Sequence, residues 1–188
     1  GGVCASFAKA FEFIMQCMNI PCTVVYGRLT QSSGMLSTAL GHEWNLVRLG
    51  SSWYHVDVTS GLNVTKQSGD MDYRFLCAST DDILKTHIVD NPVELPSCTD
   101  TSLNFFTYYG LTVDTYSREA VAACMLKAYE MGLDPVVRFS NYRAFSDAVD
   151  DLFTKQGILQ AVKDAAGISF QSIDYRIDEP ELTVRLEL

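Results

Sequence analysis

The segment 41–59, GHEWNLVRLGSSWYHVDVT, constrains the fold more than any other part of the chain. Two runs rich in β-forming residues, about 42–49 and 53–59, flank Gly50-Ser51-Ser52, and this pattern is typical of a β-hairpin. His42 and Asp57 stand near the two ends of the hairpin, and either side chain is costly to bury without a partner. The pairing register of the hairpin decides whether these two groups meet.

Turn length sets that register, because successive side chains of a strand point to opposite faces. A two-residue turn at Gly50-Ser51, or a four-residue loop over 49–52, makes the numbers of paired residues add up to 101. Asp57 then lies opposite Trp44 and diagonal to His42 on one face, within reach of a hydrogen bond. A three-residue loop gives a sum of 102 and places His42 and Asp57 on opposite faces. With the favoured register, we predict that Asp57 fixes the tautomer of His42 and favours its charged form.

Residues 4–18 have the periodicity of an amphipathic helix, which ends before Ile20-Pro21 because a residue that precedes proline avoids the α region. A strand over 23–29 follows. Cys4 lies at the first turn of the helix, where the helix dipole and free N–H groups favour a thiolate and can receive an oxyanion. We expect the helix to pack on the sheet face that carries His42 and Asp57, which makes Cys4 the candidate nucleophile.

The sequence pattern divides the chain into two parts. Residues 60–103 are mostly irregular, and from 104 onward the pattern predicts a strand-like stretch, helices at 117–131, 141–153 and 158–166, a short strand at 136–139 and a hairpin around 178–180. We therefore predict an α+β protein with a core over 1–103 and a small α/β unit of unknown role over 104–188.

Composition excludes several classes of function. A net charge of −9 disfavours nucleic acid as a partner, and no apolar run approaches the ~20 residues that span a bilayer. The six cysteines contain no C-x-x-C pair, so no metal site and no cofactor is predicted. Cys124 is expected to be a buried apolar residue, and the disulfide state of the others, Cys17, Cys22, Cys77 and Cys98, stays open.

Two stretches resemble transglutaminase-like proteins. In 2–27, GVCASFAKAFEFIMQCMNIPCTVVYG, the shared features are a Gly-x-Cys start, a small residue four places later and an Asn-Ile-Pro-Cys turn into a valine-rich strand. The segment 41–59 is similar to the family's paired motifs, His-x-Trp-Asn-x-Val and Trp-Tyr-x-Val-Asp-x-Thr. The resemblance implies Cys4 as nucleophile, His42 as base and Asp57 as orienting acid. It implies a framework role for Trp44, Asn45, Trp53 and Tyr54.

The same resemblance implies a papain-like or transglutaminase-like core, with the nucleophile helix packed on an antiparallel sheet. It implies thiol chemistry on amides of a peptide or protein substrate, with transglutamination, proteolysis and deamidation all left open. The segment 73–98 looks like the corresponding part of bacterial surface members, so we expect a cell-surface or extracellular location. Relatives carry an oxyanion-stabilising side chain before the nucleophile, and only Gly1, Gly2 and Val3 stand there in this chain. Three explanations stay open: a backbone N–H suffices, another loop supplies the donor, or the donor stood on residues that have been removed. The abrupt start on Gly1-Gly2, directly before an apolar helical pattern, leads us to expect that upstream residues have been lost.

Other residues near the motifs are interpreted as supporting or structural residues and not as members of the triad. His55, two residues before Asp57, is interpreted as a pocket residue that supports the site, and His87 as a structural residue that bonds a loop carbonyl. Glu43 alternates to the face away from His42 and is a weak acid candidate. The small polar segment 30–41 is expected to form a rim over the cleft.

Two alternatives to an enzyme acting on peptide amides remain. Arylamine N-acetyltransferases also begin with Gly-Gly-x-Cys and use Cys, His and Asp in that order, although the tryptophan motifs match transglutaminase-like chains better. The other alternative is a non-catalytic cell-surface binding or scaffold module that retains a relict triad.

Overall fold

The computed structural model describes residues 3–30, 41–62, 71–90, 95–154, 157–167 and 174–187. The protein is α+β, and the chain divides into two compact units, Gly1–Phe105 and Phe106–Leu188. The division lies two residues after the boundary that the sequence predicts. None of the described helices combines the length and the apolar character needed to cross a bilayer.

The first unit is built around a four-stranded antiparallel sheet with strand order β3-β2-β1-β4. Its strands are β1 (Cys22–Leu29), β2 (Gly41–Leu49), β3 (Ser52–Val56) and β4 (His87–Val89). Its helices are α1 (Val3–Cys17), α2 (Val58–Leu62) and α3 (Thr80–Ile83), with a 3-10 turn at Tyr73–Phe75.

The β2–β3 hairpin has the predicted register. Leu49 pairs with Ser52 and Asn45 with Val56, so the paired numbers add up to 101. Gly50 opens the two-residue turn with φ of 62°, a conformation that glycine adopts without steric cost. The prediction of the register is therefore confirmed.

The second strand of the hairpin is shorter than predicted, because it ends at Val56 and not at 59. Asp57 leaves the strand and caps α2: its Oδ1 accepts from the backbone N–H of Ser60 at 3.1 Å, and its carbonyl oxygen accepts from Gly61 at 3.0 Å. The side chain of Asp57 thus caps α2 with one oxygen and contacts His42 with the other.

The two faces of this sheet carry different layers. Helix α1 packs on the face of Val47, Tyr54 and Val56 through Phe11 and Met15. By strand alternation, His42 and Asp57 lie on the opposite face, so the expectation that α1 covers their face is wrong.

The opposite face has its own cover. Phe75, Ile83 and Cys98, from the segment after the hairpin, pack there against Trp44 and Leu46. The physical reason for the difference is that both sheet faces are apolar, and this second layer already fills the face of His42. Helix α1 therefore takes the remaining face.

The second unit contains a mixed sheet with strand order β5-β6-β8-β7, in which only the β5–β6 pair is parallel among the described strands. Helix α4 (Phe105–Tyr108) and β5 (Thr112–Val113) occupy the stretch predicted as strand-like, so that prediction is wrong for its first half. The remaining elements are α5 (Arg118–Glu130), β6 (Val136–Phe139), α6 (Tyr142–Thr154), α7 (Gly157–Ala166), β7 (Asp174–Asp178) and β8 (Thr183–Glu187).

Candidate active site

His42 and Asp57 form a buried hydrogen-bonded pair. Nε2 of His42 lies 2.7 Å from Oδ2 of Asp57, and the two residues are 6 % and 1 % exposed. β2 supplies the histidine, and the aspartate is the first residue after β3. The register therefore brings together two residues that the sequence assigned to the site.

A second histidine contacts the same carboxylate oxygen. Nε2 of His87 lies 3.0 Å from Oδ2 of Asp57, and Nδ1 of His87 lies 2.8 Å from Oγ1 of Thr86. The interpretation of His87 as a partner of a loop carbonyl is therefore wrong. No local spacing signals this contact, because β4 joins the sheet beside β1, where Leu29 pairs with His87.

The electrostatics of this cluster keep Asp57 ionised. Burial opposes ionisation of the carboxyl group, but the hydrogen bonds from His42 and His87 outweigh it and hold the pKa of Asp57 well below its usual range. A carboxylate only accepts hydrogen bonds, so both histidines present an N–H at Nε2. The remaining nitrogen of the His42 ring, Nδ1, is then available for a proton from elsewhere.

Trp44 fixes the position of the His42 ring. The two rings stack with centroids 6.1 Å apart at 21°, and Trp44 also meets the ring of His87 edge-on at 4.9 Å. Nε1 of Trp44 donates to Nδ1 of His55 at 3.0 Å. Trp44 is fully buried, so it excludes water from this side of the His42–Asp57 pair.

His55 supports Trp44 and does not bond Asp57. Its Nδ1 accepts from Trp44, and its Nε2 lies 3.4 Å from Oγ1 of Thr80. Burial, with a smaller contribution from the charge of His87, lowers the pKa of His55 to about 4, so the ring is neutral at physiological pH. The role of His55 as a residue that supports the site stays a prediction.

The other framework residues lie mainly on the α1 side. Nδ2 of Asn45 donates to the carbonyl oxygen of Ala8 at 2.9 Å, and Tyr54 is buried with its hydroxyl 3.4 Å from Oγ of Ser102. Trp53 packs, partly buried, against the apolar residues of the His42 face. Among the described residues, the Oε2 atom of Glu43 is buried without a hydrogen-bond partner.

Cys4 is the second residue of α1 and is half-buried. Contacts fix the direction of the helix: Ala8 meets Asn45, and the carbonyl oxygen of Pro21 accepts from the N–H of Arg48 at 2.9 Å. Helix α1 thus runs in the same sense as β2, and its Cys4 end points toward the end of β2 that carries His42. Within the described contacts, no hydrogen bond joins the thiol of Cys4 to His42, so the role of Cys4 stays a prediction.

Comparison with known families bears on this arrangement. Residues 1–58 match the family model of the transglutaminase-like superfamily. The matched segment contains Cys4, His42 and Asp57, and it ends one residue after Asp57. A comparison with curated proteins gives no match. His87 and the second unit lie outside the matched segment.

The remaining cysteines differ from Cys4 in their surroundings. All six cysteines are unpaired. Burial raises the pKa of the Cys22 and Cys77 thiols to about 11 and raises that of Cys98 and Cys124. These four thiols are therefore poor nucleophiles, and Cys124 is buried as predicted.

The three clustered side chains also resemble a set of metal ligands. Nε2 of His42, Oδ2 of Asp57 and Nε2 of His87 all lie within 4.8 Å of one another. Both nitrogens sit at hydrogen-bond distance from the shared oxygen, which is the arrangement of a protonated cluster.

The predictions for the segment 30–41 and for Gly1 and Gly2 concern residues that, apart from Thr30 and Gly41, lie outside the described ranges.

Proposed function

We propose that the chain is a transglutaminase-like thiol enzyme that acts on peptide or protein amides through Cys4, His42 and Asp57. The buried hydrogen bond between Nε2 of His42 and Oδ2 of Asp57 carries the proposal. It holds the imidazole in one orientation and one tautomer, as a histidine that acts as a general base requires. The family match over 1–58 and the direction of α1 support Cys4 as the nucleophile.

The proposed reaction proceeds in two steps. The thiol of Cys4 passes its proton to Nδ1 of His42, and the thiolate attacks the amide carbon of the substrate. The imidazolium of His42 then gives the proton to the leaving amine, which leaves a thioester on Cys4. Water or a second amine attacks the thioester, and His42 takes the proton of the attacking group and returns it to the thiol. Asp57 stays ionised throughout and stabilises the imidazolium.

Alkylation with iodoacetamide at about pH 6, followed by peptide mapping, tests the nucleophile. Cys17 is the matched control, because it is exposed and lies at the opposite end of the same helix, where the dipole disfavours a thiolate. We expect Cys4 to react well before Cys17 in the native chain, and His42→Ala to slow Cys4 while leaving Cys17 unchanged. Equal labelling of the two cysteines, or faster labelling of Cys17, would favour a binding module with a relict triad.

Incubation with a glutamine-rich protein and a fluorescent primary amine identifies the acyl acceptor. Incorporation of the amine supports transfer, release of ammonia without incorporation supports deamidation, and cleavage of the protein supports proteolysis. Cys4→Ala abolishes whichever activity is found. By family resemblance we also propose that the protein acts at the cell surface or outside the cell, which labelling of intact cells with a membrane-impermeant reagent tests.

A further inference from the structure

His87 is a buried polar residue of the first unit. Its side chain is completely buried, and its ring packs edge-on against the rings of Trp44 and Phe75, with centroids 4.9 and 5.5 Å away. An imidazole in such surroundings needs a partner for each polar nitrogen. Asp57 and Thr86 supply both partners, so His87 is held in one orientation.

The partners also fix the proton on the ring. The ionised carboxylate of Asp57 has no proton to give, so Nε2 of His87 donates to it. Nδ1 of His87 lies 2.8 Å from the hydroxyl oxygen of Thr86, which can donate to a bare ring nitrogen or accept from a protonated one. A chain of hydrogen bonds therefore runs from the hydroxyl of Thr86 through His87 to Asp57, and its far end is the bond to His42.

We propose that His87 is a positioning residue of the site: it donates its Nε2 proton to Oδ2 of Asp57 and holds that oxygen against His42. The inference rests on the proposed function for its effect on reactivity, but its structural content stands without any activity. Oδ1 of Asp57 is held by the N–H of Ser60, so His87 and Ser60 together fix the two oxygens of the carboxylate.

Holding Oδ2 in this way has a chemical consequence. Oδ2 of Asp57 orients His42. Without His87, the hydrogen bond to His42 would be, among the described residues, the one side-chain contact that holds Oδ2 in place. With His87 in place, the carboxylate keeps its position when His42 gains or loses a proton. The site is therefore organised before substrate binds.

Histidine NMR tests the structural part directly, since the chain has only three histidines, His42, His55 and His87. In the full chain labelled with ¹⁵N-histidine, we expect the spin system of His87 to show a proton on Nε2. His55 is the internal reference, because its bond from Trp44 also requires the proton on Nε2. A His87 ring protonated only at Nδ1 overturns the proposal.

Paired variants test the effect on reactivity. His87→Gln retains an N–H donor at a similar reach, whereas His87→Leu removes it. We expect His87→Leu to slow alkylation of Cys4 by about tenfold or more, by analogy with the loss of activity when a group that orients a metal-ligating histidine is removed. We expect His87→Gln to recover most of the rate. Equal rates in both variants and the unmodified chain overturn the proposal.

His55→Gln is the matched control for burial. It alters another buried histidine that touches Trp44 but not Asp57, so the NMR signals of His87 should keep their tautomer. If His87→Leu does not fold, the tautomer measured on the unmodified chain decides. Stoichiometric zinc in the purified protein, bound at Nε2 of His42 and His87, would also overturn the proposal, because a metal would replace both protons.

If Cys4 of the unmodified chain proves unreactive, the proposed function fails while the tautomer of His87 still tests this inference. If Cys4 reacts and His87 has the wrong tautomer, the inference fails and the proposed function stands. The two results are therefore distinguishable.

Discussion

Removal of the Asp57 carboxylate should destabilise the first unit strongly. Asp57→Ala leaves three donors without their acceptor: Nε2 of His42, Nε2 of His87 and the N–H of Ser60. Each buried donor without a partner costs about 1–3 kcal/mol, and loss of one member of a buried charged pair typically costs about 3–5 kcal/mol in total. We therefore expect the free energy of unfolding to fall by about 3–5 kcal/mol at pH 7.

Urea unfolding followed by tryptophan fluorescence measures this loss. The only two tryptophans, Trp44 and Trp53, both belong to the hairpin, so the signal reports on the first unit. With a urea dependence of about 1.5 kcal/mol per M, the expected loss lowers the midpoint by roughly 2–3 M.

Asp90→Ala provides the matched control. Asp90 makes a bidentate ion pair with Arg28, but the side chains of Asp90 and Arg28 are 40 % and 41 % exposed. An exposed pair contributes about 0–1 kcal/mol, so the midpoint should move by less than about 0.7 M. Equal losses in Asp57→Ala and Asp90→Ala would refute the claim that the His42–Asp57–His87 cluster is buried and hydrogen-bonded.

Three further predictions concern the same unit. Burial raises the pKa of Cys77 to about 11, so its alkylation at pH 8 should require urea and follow the fluorescence transition. A Cβ at Gly27 would overlap the backbone of β4 and approach the Trp44 ring to 2.7 Å, so Gly27→Ala should cost about 1–3 kcal/mol in urea unfolding, whereas Gly41→Ala, with open space, should cost little. The pKa of His55 is lowered from 6.5 to about 4 in the folded protein. As the pH falls, the unfolded chain therefore binds a proton at His55 before the folded protein does, and the free energy of unfolding should decrease between about pH 7 and pH 4. His55→Gln should flatten that dependence, and an unchanged slope would contradict the burial of a neutral ring.

Local patterns sufficed for much of the first unit. The helix at 3–17, the strand at 22–29 and the hairpin register all follow from periodicity, the proline at position 21 and a two-residue turn. The pairing of His42 with Asp57 follows from the register alone, because side chains alternate along a strand. These features depend on neighbours that are close in sequence, so local chemistry determines them.

Other features could not be predicted in this way. The strand-like stretch after 104 begins with a helix, because the burial of Phe105 and Phe106 overrides a weak local preference for strand. The second strand of the hairpin ends early because the carboxylate of Asp57 caps α2, and the sequence pattern continues past that point.

The sequence by itself determined that His42 and Asp57 share a face of the hairpin. Only the tertiary structure decided what surrounds them. The choice of sheet face by α1 depended on competition with the layer of Phe75 and Ile83, and the contact of His87 with Asp57 depended on β4 pairing beside β1 across a long stretch of chain. Such contacts join residues far apart in sequence, and their free energy comes from burial that no local pattern records.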